Sequence, residues 1–103
     1  MASRISKLQS YLEITPDDSF LKHALALEYV KEQNDSTART LFEELLRANP
    51  QYIGSYYHLG KLLERSNDLE AAVACYRKGL GESKLAGDMH AYNELNAALH
   101  ELV

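Results

Sequence analysis

An all-α fold of antiparallel helical hairpins stacked in series is predicted by three observations on this 103-residue chain. First, one chemical pattern is written twice at a spacing of 34 residues: Pro16 and Pro50, Leu25 and Leu59, Ala26 and Gly60, Ala38 and Ala72, Phe42 and Tyr76. A fixed period in this range marks a helical repeat rather than a single compact core, and three periods account for nearly the whole chain. Second, Ala, Leu, Glu and Lys are abundant, with two Pro and five Gly to interrupt them; these are helix formers. Third, the chain divides into six helical segments, several with apolar residues at helical spacing, joined by turns of three or four residues.

The elements follow in order. The first helix is expected over about Ser3 to Glu13, with Ile5, Leu8 and Leu12 on one face and Arg4, Lys7, Gln9 and Glu13 on the other. Thr15-Pro16 ends it, because the residue before proline is pushed out of the α region. The second helix begins near Asp17, where two carboxylates suit the positive end of a helix dipole, and continues to about Glu32. Gln33-Asn34-Asp35 reads as a turn and Ser36 as the N-cap of the third helix, with Arg39 where a capping box would place Glu. The third helix carries Ala38, Leu41, Phe42, Leu45 and Leu46 and stops at Asn49-Pro50. The fourth spans about Tyr52 to Arg65, followed by the turn Ser66-Asn67-Asp68. The fifth starts near Leu69, carries Ala72, Val73, Tyr76 and Leu80, and reaches about Leu85; Gly79 and Gly81 weaken it and Gly87-Asp88 breaks it. The sixth runs from about Met89 to the C-terminus on a stripe of Met89, Tyr92, Leu95, Leu99 and Leu102. Connections this short force neighbouring helices antiparallel.

Composition narrows the function. A net charge of −4, with no basic cluster longer than Arg77-Lys78, disfavours nucleic acid and membrane surfaces, which attract proteins through basic patches. No segment approaches the roughly 20 apolar residues that span a bilayer, and the N-terminal MASRISKLQSYLE has no apolar stretch of the signal-peptide kind. A cytoplasmic location is the expectation. Cys75 is the only cysteine, so an intramolecular disulfide is excluded and a thiolate zinc site is not expected.

The repeated residues resemble the tetratricopeptide repeat family. Its pattern sets a bulky residue, a Leu-small pair and a Tyr-like residue on the first helix of a hairpin. The second helix has a small residue followed four later by an aromatic one, and a proline closes the repeat. The first copy here is Lys22, Leu25-Ala26, Tyr29, Ala38, Phe42, Pro50; the second is Tyr56, Leu59-Gly60, Leu63, Ala72, Tyr76, Lys84. Lys22 in the bulky slot and Lys84 in the proline slot depart from the pattern. The small residues let the two helices of a hairpin approach closely, and Phe42 and Tyr76 are expected to fill the space between one hairpin and the next. Leu8, Leu12 and Pro16 lie one period before Phe42, Leu46 and Pro50, so the first helix resembles the second half of a repeat. A step of 36 maps Tyr56, Leu59 and Leu63 onto Tyr92, Leu95 and Leu99, with Asn96 in the small slot. The resemblance implies a single domain that is a right-handed α-solenoid: a capping helix over 1–16, repeats over 17–50 and 51–86, and a capping helix over 87–103.

It also implies a non-catalytic protein-interaction module that holds a protein or peptide segment in a concave groove. By register, the groove-lining positions are Phe20, His23, Leu27 and Val30 on the first repeat, then Gly54, Tyr57, Lys61 and Glu64 on the second. His90, Asn93 and Ala97 on the last helix complete them. The chaperone-peptide carboxylate clamp known in the family would use the positions of His23, Leu27, His58, His90 and Glu94, and none of these carries the residue required. Polar outer faces on the terminal helices fit a soluble monomer. A self-assembling structural protein, pairing weakly through its exposed terminal helices, is the alternative.

Other residues invite chemistry and lose to simpler readings. His23, His58, His90 and His100 include no i, i+4 pair and no HExxH, so no metal is expected and they read as surface or edge residues. Cys75 reads as a small buried hydrophobe without a paired base. The segment Gly79 to Lys84 lacks the order of a phosphate loop. Asp17-Asp18 and Glu43-Glu44 are sequence neighbours that do not share a helix face, so neither is a catalytic dyad. No enzyme activity and no cofactor are expected.

Overall fold

A computed structural model describes residues 3–103. Among the described residues there are six α-helices and no strand: α1 (Arg4–Ile14), α2 (Ser19–Lys31), α3 (Asp35–Ala48), α4 (Gly54–Arg65), α5 (Leu69–Ala86) and α6 (Met89–His100). They form two compact units divided between Asn49 and Pro50, the point at which the first copy of the period closes.

The starts of α2, α3 and α4 differ from the sequence expectation, the first two for a capping reason. α2 begins at Ser19 rather than Asp17, because Asp18 is the N-cap and its carboxylate accepts the Leu21 N–H at 3.0 Å. α3 begins at Asp35, and its N-cap is Asn34, not Ser36: the Asn34 side chain accepts the Thr37 N–H, while the Ser36 hydroxyl donates to that same Asn34 oxygen. α4 begins at Gly54 rather than Tyr52; Ile53 is its N-cap and offers no side-chain acceptor.

The correction at Asn34 exposes a turn device used three times. Gln33 (φ 62°), Asn67 (φ 61°) and Gly87 (φ 71°) each take the left-handed conformation that ends a helix. Each is followed by an N-cap acid or amide, Asn34, Asp68 or Asp88. At each turn the residue after the left-handed one donates its N–H back into the preceding helix: Asn34 to the Tyr29 carbonyl, Asp68 to Leu63 and Asp88 to Ser83, all at 2.9 Å. The first two turns lie 34 residues apart, so the repeat is kept in backbone conformation as well as in side-chain type.

In the first unit, Leu8, Ala24 and Leu25 form a buried cluster, with Ile5, Leu12, Leu21, Tyr29 and Leu41 packed around it. α1 thus lays its predicted stripe on the first hairpin. Two polar contacts fix its rotation: Gln9 donates to the Tyr29 hydroxyl at 3.2 Å, and Arg4 reaches Glu28 at 3.6 Å. Ala26 and Ala38 are fully buried, as close helix approach requires. The Phe42 ring stands edge-on to His23, on the first helix of its own hairpin, at a centroid distance of 5.7 Å. Asn49 donates to the Ser19 hydroxyl at 3.1 Å, tying the end of the hairpin to its start.

In the second unit, Tyr56, Leu59, Leu62, Leu63, Ala72, Tyr76, Leu95, Ala98 and Leu99 are buried. Tyr76 packs on Gly60 and Gly79 lies under Tyr56 and Leu95, where an added Cβ would come within 2.7 Å of the Tyr56 Cβ and 2.9 Å of Leu95 Cδ1. Gly79, which the sequence alone marks as a weak point of the helix, is therefore a packing residue. The period pairs it with Leu45 and pairs Tyr56 with Lys22, so the large residue and the small one swap slots between the two hairpins. Tyr56 also donates to the Pro50 carbonyl at 2.6 Å; burial, then the nearby Glu82 and Cys75, push its pKa up to about 12. Cys75 is half-buried rather than fully buried, and its thiol donates to the Tyr56 carbonyl at 3.4 Å.

Ser83 is fully buried, and its hydroxyl has no hydrogen-bond partner among the described residues. An unmet buried hydroxyl destabilises a fold by about 1–3 kcal/mol. Ser83→Ala, which also raises helix propensity, is expected to raise the midpoint of thermal unfolding followed by circular dichroism. A lower midpoint would show that the hydroxyl is satisfied.

Candidate functional site

The candidate site is the outward row on the first helix of each hairpin, which helical spacing of 3–4 residues brings onto one face. In the first unit the row is Phe20, His23, Leu27 and Val30 on α2. Phe20 is 64% exposed, an unusual position for a phenyl ring, whereas His23, Leu27 and Val30 are half-buried. His23 is held by the Phe42 ring, so one side of its imidazole belongs to the hairpin interior.

In the second unit, Tyr57, Lys61 and Glu64 form a connected group on α4. The Lys61 ammonium lies 5.6 Å from the centre of the Tyr57 ring, 3.6 Å from Glu64 and 3.8 Å from Glu101. Glu64 also accepts a hydrogen bond from the Tyr76 hydroxyl, which roots the group in the packed interior. Burial, then the Glu64 carboxylate, raise the Tyr76 pKa far above its ordinary value, so the phenol stays protonated and a donor. Each partly exposed ion pair contributes about 0.2–1 kcal/mol, little enough for an arriving polar group to replace it.

Glu101 was not among the sequence candidates. It follows Ala97 by four residues, one turn further along the α6 row, and that spacing was the signal that could have found it. His90, Asn93 and Ala97 are exposed on α6, and Gly54 is exposed at the start of α4. Beside Tyr57, His58 keeps its ring edge-on at 5.9 Å. Partial loss of water lowers its pKa, and Glu94 opposes that shift. Among the described residues no group of three His, Cys, Asp or Glu side chains could hold a metal, and no helix is long and apolar enough to cross a membrane. The first unit's row thus offers an exposed aromatic ring beside half-buried apolar side chains, and the second unit's row offers one cation set between two carboxylates.

Known proteins share this fold. A tetratricopeptide repeat family model matches residues 53–84, the α4–α5 hairpin. The crystal structure of a tetratricopeptide repeat domain protein from Salinibacter ruber is 40% identical, with a TM-score of 0.79, over 82% of this chain and 94% of that one. A solution structure of a tetratricopeptide repeat domain protein from the same organism is also 40% identical, with a TM-score of 0.81, over 84% of this chain and 88% of that one. A protein from Bordetella parapertussis matches with a TM-score of 0.84 at 24% identity, over 99% of this chain and 89% of that one, a likeness of fold.

Proposed function

The chain belongs to the tetratricopeptide repeat family, and from that premise we propose that it is a non-catalytic interaction module that binds a protein segment on the outward rows of its first helices. The observation that carries this reading is Phe20. A phenyl ring 64% exposed in the groove-lining register leaves most of its surface to a partner. Leu27, two turns beyond Phe20, and Tyr57, one period after His23, extend the apolar character. Lys61, Glu64 and Glu101 add a polar cluster whose internal pairs can be exchanged for hydrogen bonds to a partner's backbone or side chains. His90 and Asn93 are the α6 contributors.

The absent clamp residues separate this surface from one that grips a terminal carboxylate. The cation on α4, Lys61, already lies against two carboxylates. The segment bound is accordingly an internal one with at least one apolar side chain.

The test begins with a pull-down from the native source, followed by affinity measurement on the protein recovered. Tyr57→Ala and Leu27→Glu are each expected to weaken binding by about thirtyfold, the mark of a hot-spot residue. Glu44→Lys, on the exposed face of α3, is expected to leave it unchanged. Equal affinity for all three variants would move the binding surface elsewhere on the molecule.

A further inference from the structure

Three glycines of the second unit answer to the fold: Gly60 to the Tyr76 ring, Gly79 to Tyr56 and Leu95, and Gly87 to its left-handed backbone. Gly54, at the first position of α4, and Gly81 meet no neighbouring atom among the described residues, and of the two only Gly81 lies inside a helix. It lies in the interior of α5, its φ is not positive, and a Cβ added there would meet no atom within 4 Å. Alanine would fit and would favour the helix. Around this bare stretch of backbone, α5 presents Arg77, Lys78, Lys84 and Leu85, which line a shallow surface groove together with Gly81 and Glu82. Leu85 is 85% exposed, and none of the three cations makes an ion pair among the described residues. In a chain of net charge −4, three cations facing one carboxylate around an exposed leucine form a patch of opposite sign to the whole.

The matching patch lies in the first unit, where α1 hands over to α2. Ile14 is 79% exposed there, and Glu13, Asp17 and Asp18 beside it in the chain are exposed, with the cation Lys22 one turn further along α2. The two patches thus pair an apolar side chain with an apolar one and three carboxylates with three cations.

We propose that the outer face of α5, centred on Gly81, is a docking surface for a second copy of this chain, which sets Ile14 beside Leu85 and Glu13, Asp17 and Asp18 against Arg77, Lys78 and Lys84. The missing side chain at Gly81 lets the Ile14–Pro16 backbone of the incoming copy lie close on the helix. The contact joins unlike surfaces, so each copy offers both halves. It covers two exposed apolar side chains, and opposite charge orients the encounter. It involves none of the α2, α4 and α6 groove positions, and stands or falls independently of them.

Sedimentation equilibrium of the 103-residue chain between about 10 µM and 1 mM covers the range of a weak contact of this size. The weight-average mass is expected to rise above 11.6 kDa with concentration at low salt and to fall back as salt screens the pairs. Leu85→Glu and Gly81→Leu change a solvent-facing position and an open one, so the helix content should persist while association weakens roughly tenfold or more. Lys84→Glu and Asp17→Lys should each weaken it, and an equal mixture of the two should restore it, because each chain supplies the half that the other has lost. A mass that stays at 11.6 kDa throughout overturns the proposal. So does association indifferent to Leu85→Glu and Gly81→Leu, or a mixture that associates no better than either variant alone.

Discussion

Gly60→Ala is expected to destabilise the protein by about 3 kcal/mol, the upper part of the range for overpacking a filled interior, and to lower the thermal midpoint by more than about 10 °C. An alanine Cβ at Gly60 would fall on the ring of Tyr76, meeting Cε1, Cζ and Cδ1. The ring cannot swing away. It is fully buried, and its hydroxyl is held by Glu64. The same glycine-to-alanine change at Gly81 meets no neighbouring atom, so there the helix-propensity gain of about 1 kcal/mol should appear undiminished. One substitution thus has opposite signs at two helical sites of one hairpin. Tyr76→Leu in the Gly60→Ala background should recover part of the loss by removing the ring. Urea unfolding followed by circular dichroism measures all four chains. A Gly60→Ala midpoint equal to that of the wild type would refute the close approach of α4 and α5.

Phe42→Ala is expected to cost about 4 kcal/mol, as a fully buried phenyl side chain does when its site cannot collapse. Phe42 has no exposed surface, and its ring edge meets His23 across the first hairpin. Phe42→Leu keeps most of the apolar volume and should cost less than about 1.5 kcal/mol. The pair of variants, compared by urea unfolding, separates lost burial from lost shape. A shift of the His23 ring resonances in Phe42→Leu would report the lost edge contact directly. If Phe42→Ala proved no worse than Phe42→Leu, the slot would be adaptable rather than filled.

The placement of these two rings shows where periodicity stops informing. The 34-residue period identifies Phe42 and Tyr76 as equivalent large residues. Reading them as spacers between hairpins overlooks their own first helices. Tyr76 lies on Gly60, whose missing side chain opens a space inside the hairpin, and bonds Glu64, while Phe42 leans on His23. The two members of such a pair are far apart in sequence, and nothing local to either one announces the other.

Caps show a similar limit. Ser36 is a good N-cap residue by type, yet Asn34 takes the role, since a left-handed Gln33 reverses the chain one step before it. The signal was present in the alignment of Asn34 with Asp68, one period on. For the candidate surface, register located Phe20, Tyr57, Lys61 and Glu64 on their rows. It could not disclose that Lys61 lies between Glu64 and Glu101, because that pairing depends on the rotation and packing of α6.

What the sequence determined by itself is the repeating architecture: the six helices, the hairpin as its unit, and the small-and-large slots that make it. These follow from spacing along one chain, since a helix buries whatever lies three and four residues apart. What only the tertiary structure decided is which side chains meet between helices. It turned Gly79 from a weak point into a packing residue, showed Gly81 to be unneeded by the fold, and left Leu85 and Phe20 facing solvent. The reason is physical. Helix formation is local and periodic, whereas exposure and contact depend on how neighbouring helices rotate and approach, and that is settled by the packing of all of them at once.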